Sequence, residues 1–452
     1  MSGKFNPEKI ALTLSVMTDM HISGSWYAPE SEEKMVKALN FARQSAKNPI
    51  DAYVFAGDFG DCMNSPPNVL LGEKWGTDYD KAFKEQSDRE FSTWRRIFRE
   101  EIEPEAEIIY ALGNHDSIDC NNIDRYITEF SSLYESGDGK NAQRMYRTDL
   151  DLDSMTKGMR HCVCKGYHFL CIDVVTDATE TVEFLKKNLD EITTKEPDKF
   201  VFVVWHYKTP RTLLASDRQP PEAAFQIGRL LENYPQVVLI TGHTHTPIDN
   251  DKAIMQTGYT SVEAACVSYI APCWDYGEML NMTGAIKYTA SEGLLMEVDE
   301  EGNLRIGRLD YANRRTLEPW EIFAPKPDKS HLKLYGHDRR ETARVPQFAD
   351  DAKIKLEEIE EKVTKITIPK PTVNGDKAFR YHIVVQDILG YVSFFKLSSL
   401  YCYPQAEEFD TDYLTAQLPY RYSNIYKVSV TVQDVWYNDS KPIVLFRDWS
   451  KI

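Results

Sequence analysis

Residues 108–117 read "IIYALGNHDS". An apolar run fit for a buried strand breaks at Gly113 and stops on Asn114, His115 and Asp116, three side chains able to bind a metal or move a proton. One such ending would be an ordinary turn, but outward from this stretch the same event recurs. "LSVMTDMH" (14–21) delivers Asp19 and His21, "YVFAGDFGD" (53–61) delivers Asp58 after Gly57, "VFVVWHY" (201–207) delivers His206, and "VVLITGHTH" (237–245) delivers His243 and His245. Five of the ten histidines thus stand directly after an apolar strand or inside G-N-H-D or G-H-x-H. Open α/β sheets bind ligands beyond the carboxyl ends of their strands, so these endings are expected to converge on one patch.

The surrounding pattern supports such a sheet. "ALTLSVM", "AYVFA", "EIIYAL", "YHFLCIDVV", "FVFVVW" and "VVLIT" are almost continuously apolar, as strands buried on both faces are. Between them, Glu33 to Lys47 places Met35, Ala38, Leu39 and Ala42 on one helical face, and Asp80 to Ile102 does so with Phe91, Trp94, Ile97 and Phe98. Phe184, Leu185 and Leu189 mark a shorter helix, and Phe225, Ile227, Leu230 and Leu231 another. The alternation predicts an α/β domain with largely parallel pairing. After residue 245 the helical period disappears. "ACVSYIA" (265–271) and "GLLMEVDEEGNLRIGRLDY" (293–311) read as antiparallel strands, the second turning at Gly302 and Asn303. Residues 323–348, rich in Pro and charge, read as a linker, either free or packed across the first domain, between a domain over 1–322 and another over 349–452. The last hundred residues alternate apolar and polar in short runs, the pattern of a β-sandwich.

With 452 residues, the chain is too long for one ordinary core. Its 53 Lys and Arg against 70 Asp and Glu leave a net charge of −17, which argues against holding long nucleic acid or anionic membrane by charge alone. Anything anionic it handles must meet locally supplied positive charge. No apolar stretch approaches the roughly 18 residues of a membrane span. Eight irregularly spaced cysteines show no disulfide framework, and Cys162 and Cys164, alternating along a strand, read as buried thiols. A reducing, cytoplasmic setting is expected, with secretion through a leader lying before this sequence as the alternative.

D-x-H, G-D, G-N-H-D, H and G-H-x-H, in this order over roughly the first 300 residues, resemble the full signature of the calcineurin-like metallophosphoesterase superfamily. The resemblance implies a four-layer αββα sandwich with a two-metal site. It implies Asp19, His21, Asp58 and His245 as ligands of one ion, Asp58 as the bridging carboxylate, and Asn114, His206 and His243 as the remaining ligands of the other. It implies His115 as a catalytic histidine off the metals and Asp116 as the residue that orients it. Two cations, about 3.5–4 Å apart in such sites, clamp phosphate oxygens and share a hydroxide that attacks phosphorus in line, while an imidazole assists the leaving oxygen. The cations also answer the charge problem. Purple acid phosphatases, one branch of the superfamily, carry a tyrosine three residues after the bridging aspartate; Asp61 stands there, which disfavours a tyrosinate-bound ferric ion and leaves Mn²⁺, Fe²⁺ or Zn²⁺.

Outside the set, Lys208 and Arg211 in "HYKTPR" either face a substrate phosphate or sit in a solvated loop. Residues 64–80 and 268–279 carry aromatic side chains in loops that either form a rim around the leaving group or simply pack. The C-terminal segment resembles fibronectin type III or immunoglobulin-like sandwiches through "YKVSVTVQDVWYNDSKPI", and Trp436 with Tyr437 is its one candidate for an exposed aromatic platform. His161, His168, His331, His337 and His382 have no ligand spacing. The expected activity is metal-dependent hydrolysis of a small organic phosphodiester. The alternatives are a phosphomonoesterase or protein phosphatase, or a catalytically silent binding scaffold.

Overall fold

The computed structural model describes residues 4–22, 30–60, 89–90, 92–94, 96–117, 158–174, 176–217, 220–271, 289–372, 377–399 and 413–447. Asp61, Phe91, the loop 64–80 and most of 268–279 lie outside the described residues. The chain divides into two compact units, one drawn from Met1–Asp249, Ala253–Ile270 and Tyr288–Gly336, the other from Asn250–Lys252, Ala271–Lys287 and His337–Ile452. Among the described residues no helix is long and apolar enough to cross a membrane.

The first unit contains strands β1 (Ile10–Met17), β2 (Ala52–Ala56), β3 (Glu107–Ala111), β4 (Met159–Cys164), β5 (Tyr167–Ile172), β6 (Val201–Trp205), β7 (Val237–Thr241), β8 (Ile254–Gln256), β9 (Thr260–Glu263), β10 (Glu292–Asp299), β11 (Leu304–Asp310) and β12 (Arg315–Ile322). One six-stranded sheet runs β12-β11-β10-β1-β2-β3 and the other β4-β5-β6-β7-β9-β8. The pairs β1/β2, β2/β3, β5/β6, β6/β7 and β7/β9 are parallel. β2, β6 and β7 are buried at every residue, which explains why they read as unbroken apolar runs.

β2 and β3 of the first sheet lie against β6 and β5 of the second. Helix α1 (Ser31–Ser45) covers the outer face of the first sheet with Met35, Ala38, Leu39 and Ala42, joined there by Trp94, Ile97 and Phe98. Helices α2 (Ala178–Lys195) and α3 (Glu222–Leu231) cover the second through Leu185, Leu189 and Ile192 and through Ala224, Ile227 and Leu231. The layers are αββα, and each large apolar side chain taken from water contributes on the order of 1.5–3 kcal/mol. Phe225, placed by the sequence reading on the buried face of α3, is 53% exposed, and Ala224 takes its place there beside Ile227 and Leu231.

One other expectation changes. "ACVSYIA" is not a strand: Ala265 has a left-handed backbone (φ 61°), the amides of Val267 and Ser268 donate to the carbonyls of Thr18 and Asp19, and the Cys266 carbonyl accepts the Glu292 amide. In the stretch read as a linker, residues up to Gly336 belong to the first unit and lie along β8. The Gln256 amide donates to the Tyr335 carbonyl at 2.9 Å, and buried His331 reaches the Pro235 carbonyl at 2.8 Å.

The second unit contains β13 (Lys355–Glu360), β14 (Val363–Pro369), β15 (Arg380–Asp387), β16 (Val392–Ser398), β17 (Tyr413–Leu418), β18 (Ile425–Gln433) and β19 (Ile443–Phe446). They form antiparallel sheets of order β13-β14-β17 and β16-β15-β18-β19, whose inner faces share one core that includes Ile366, Ile368, Ile383, Val428 and Val430. Trp436 is no exposed platform. It is 5% exposed, with the Arg339 guanidinium 4.9 Å from its ring centroid.

Candidate metal centre

β1, β2, β3, β6 and β7 point their carboxyl ends to one edge of the paired sheets, and every strand-end residue singled out above follows one of them. Beyond β1 and β2 the chain stays paired without staying extended. The amides of Asp19, His21 and Ile22 donate to the carbonyls of Gly57, Asp58 and Phe59 at 3.0, 3.0 and 2.8 Å. Asp19, His21, Asp58, His243 and His245 all adopt a left-handed backbone, with φ between 45° and 73°. Such conformations cost on the order of 1–3 kcal/mol each and concentrate where side chains must be aimed at a function.

Two glycines allow the close approach. A Cβ on Gly113 would stand 2.1 Å from Asp58 Oδ1, and one on Gly242 would stand 2.1 Å from Thr18 Oγ1 and 2.4 Å from Asp19 Oδ2. The turn after β3 is then fixed by two carboxylates. Asp116, fully buried, accepts the amides of Phe59 and Gly60 on Oδ1 (2.9 and 3.1 Å) and of Gly113 on Oδ2 (2.8 Å). Asp173, just after β5, accepts the Leu112 amide at 2.7 Å and forms a buried double hydrogen bond with the Arg160 guanidinium. Asp116 therefore binds the loop carrying Asp58 to the turn carrying Asn114 and His115. The sequence reading expected it to orient His115; these bonds run to main-chain amides.

The side chains gather into two groups that share Asp58. Asp19, His21, Asp58 and His245 place one ligand atom each within 4.8 Å of one another, and so do Asp58, His206 and His243. His245 Nε2 lies 2.9 Å from Asp19 Oδ1 and 3.3 Å from His21 Nε2; His206 Nε2 lies 3.1 Å from Asp58 Oδ2. His206 Nδ1 donates to the Ala56 carbonyl at 2.7 Å, so its Nε2 lone pair is aimed at that carboxylate. Nε2 of His206 and Oδ1 of Asp19 are buried without a hydrogen bond. Lone pairs facing carboxylate oxygens in a dry pocket call for a cation between them. Asn114 is buried at the same strand end, and His115 is in neither group: its Nε2 is 3.9 Å from Asp58 Oδ2, and its amide donates to Asp58 Oδ1 at 2.9 Å.

Protonation follows the same logic. Burial alone would raise the Asp58 and Asp19 carboxyls, but the facing imidazoles overcome it and hold both well below the usual range. Burial pulls His243 down to about 3, with His206 beside it adding to the effect, and lowers His245 as well. His206 goes the other way: burial opposes its charge, yet Asp58 and Asp19 push it up to about 9. A cation seated between His206 and Asp58 would take the place of the proton that His206 otherwise keeps, and ionised carboxylates with imidazole nitrogens are the donor set that suits borderline divalent ions, so the residues fit a pair of them.

Thr18 and Tyr207 carried no signal in the sequence, whereas Tyr269 belongs to the aromatic stretch 268–279 expected either to rim the site or to pack. The Thr18 hydroxyl lies 2.8 Å from Asp19 Oδ2 and 2.9 Å from the Ala56 carbonyl. The Tyr207 ring meets His243 edge-on with centroids 4.6 Å apart, and the Tyr269 ring lies 4.2 Å from His245 and stacks on His21 at 5.6 Å. Of the two cations considered for substrate, Arg211 is exposed on the loop after β6. Lys208 is 3% exposed and turned inward, so it lies in no solvated loop. Its ammonium meets the Leu214 carbonyl (2.9 Å), the Thr244 and Thr246 hydroxyls and the Glu263 carboxylate.

Residues 12–247, more than half of the chain, match the family model described as calcineurin-like phosphoesterase. Among solved structures, the chain is similar to a purple acid phosphatase from seeds of yellow lupin (Lupinus luteus), at 14% identity and a TM-score of 0.42, over 72% of this chain. The chain spans 56% of that phosphatase's length. No relative is found among curated proteins.

Proposed function

The chain belongs to the calcineurin-like phosphoesterase family, and on that premise we propose that it is a two-metal hydrolase of phosphoric esters acting on a small organic phosphodiester. The observation that carries this reading is Asp58, common to two groups of candidate ligands, with His115 beside it in neither group. Asp19, His21, Asp58 and His245 hold one divalent ion, and Asp58, Asn114, His206 and His243 the other; manganese, iron and zinc all suit this donor set. When bound, the ions neutralise phosphate oxygens and acidify a water near neutral pH.

The chain's own residues supply the rest. Asp58 fixes the spacing of the pair. Asn114 and His115 are neighbours on one helical turn, so binding and proton donation are held in one frame. His115 delivers a proton to the departing alkoxide oxygen. Arg211, exposed on its loop, is the cation proposed to meet an outer phosphate oxygen. Tyr207 and Tyr269 line the histidines with aromatic surface, which favours an organic group on the leaving side over inorganic or strongly charged substrates. The net charge of −17 disfavours long nucleic acid. Cys162, Cys164, Cys171 and Cys266 carry no disulfide, which accords with a reducing, cytoplasmic setting.

The test is hydrolysis of a chromogenic phosphodiester and the matching monoester with Mn²⁺, with Zn²⁺ and with chelator. Metal-dependent turnover favouring the diester supports the proposal. Preference for the monoester moves the protein among phosphatases, and no turnover of either with two ions bound supports a binding scaffold.

A further inference from the structure

The loop Gly242–Thr246 has two faces. His243 turns toward Asp58 and His206 and His245 toward Asp19 and His21, while Thr244 and Thr246 turn the other way, onto Lys208. Lys208 leaves β6 two residues after His206. Its buried ammonium is enclosed by four acceptors: the Leu214 carbonyl at 2.9 Å, Thr246 Oγ1 at 3.1 Å, Thr244 Oγ1 and a Glu263 carboxylate oxygen. Glu263, fully buried, closes β9 opposite Thr241, the last residue of β7 and the one before the loop. An ammonium in dry surroundings directs its donors and holds its acceptors in fixed places. Alone, it would also repel a pair of cations seated on the far side of the loop. Glu263 sets a carboxylate directly against the ammonium and so offsets that repulsion.

We propose that Lys208 and Glu263 form a charge-compensated brace that positions His243 and His245, through Thr244 and Thr246, for metal binding. The inference rests on the two-metal reading above. Both are positioning residues, since they reach the ions only through the loop.

The experiment is calorimetric titration of Mn²⁺ into metal-stripped full-length protein, with thermal unfolding of the metal-free form alongside. Lys208→Met with Glu263→Gln removes both charges together and leaves no unpaired ion. Thr244→Val with Thr246→Val keeps both charges and removes only the link. Each double variant is expected to weaken Mn²⁺ binding roughly tenfold or more, the range seen when groups that orient a metal's ligands are lost. A merely structural pair would lower the melting temperature and leave the affinity of the folded protein alone. Parental affinity in either folded double variant overturns the proposal, and the threonine variant decides the matter if the charge variant does not fold. If the parent protein itself binds no Mn²⁺, the two-metal reading fails, and that outcome is distinct from a parent that binds and variants that bind equally well.

Discussion

Asp58 faces both groups of candidate ligands through one carboxylate, so its replacement separates binding from everything else. Asp58→Asn keeps the volume and removes the charge; metal analysis of the purified variant is expected to show loss of the ion pair, with turnover at background. His115→Ala should do the reverse, keeping both ions and lowering kcat about 10²- to 10⁴-fold on esters with poor leaving groups, with a smaller loss on a nitrophenyl ester whose oxygen needs no proton. Equal losses on both esters would remove His115 from the proton-donor role. At this scale much was legible beforehand. Asp19, His21, Asp58, Asn114, His206, His243 and His245 all announced themselves by standing after apolar runs. Thr18 and Tyr207 did not, because threonine and tyrosine are too common at strand ends for one occurrence to mean anything, and Tyr269 was legible only as one of the aromatic residues of 268–279. Lys208 was misplaced for a related reason: a lysine after a strand reads as solvated, and only the fold supplies Glu263 from 55 positions downstream.

The parallel strands were readable as elements because burial on both faces leaves no polar residue to interrupt them. Helix α2 runs further than its apolar marks suggested. Its start is set by Asp177, whose carboxylate accepts the amides of Thr179 and Glu180, and its first turn buries Thr181, a polar residue that breaks no apolar run and marks no face. "ACVSYIA" has strand composition, but its Val267 and Ser268 amides meet a segment that turns at Asp19, and its own backbone turns at Ala265. The turns between strand and site give the sharpest prediction at this scale. Gly113→Ala would drive a methyl group to 2.1 Å from Asp58 Oδ1, and the cost should be about 1–3 kcal/mol of overpacking. A lower melting temperature together with weakened Mn²⁺ binding is expected. Unchanged affinity would mean that the turn can move without moving Asp58.

Across the whole molecule, stability should carry a pH signature that the metal site does not set. Glu292, at the start of β10, is buried, and burial with Asp310 and Asp249 nearby pushes its carboxyl up to about 8, against the opposing Ile248 amide and Arg315. An unfolded glutamate titrates near about 4.3. Between those values the unfolded chain has released the proton while the folded chain keeps it, so stability falls as pH rises through that window. Glu292→Gln keeps the hydrogen-bond acceptor and removes the titration. Melting curves at several pH values, with Mn²⁺ saturating throughout, should show a shallower decline for the variant, and parallel declines would contradict the assignment. An α/β domain followed by a β-sandwich was foreseeable from the change of period along the sequence, whereas the αββα layering came only with the family resemblance. The segment after Ile322 was open to packing on the first domain, but its Pro and charge hid the contacts it makes through backbone and His331. The account stands most directly on stoichiometry. Mn²⁺ titrated into metal-stripped protein, with chromogenic diester hydrolysis followed at each addition, should give turnover that climbs to a plateau at two ions per chain. A plateau at one ion, or turnover that persists in chelator, would contradict it.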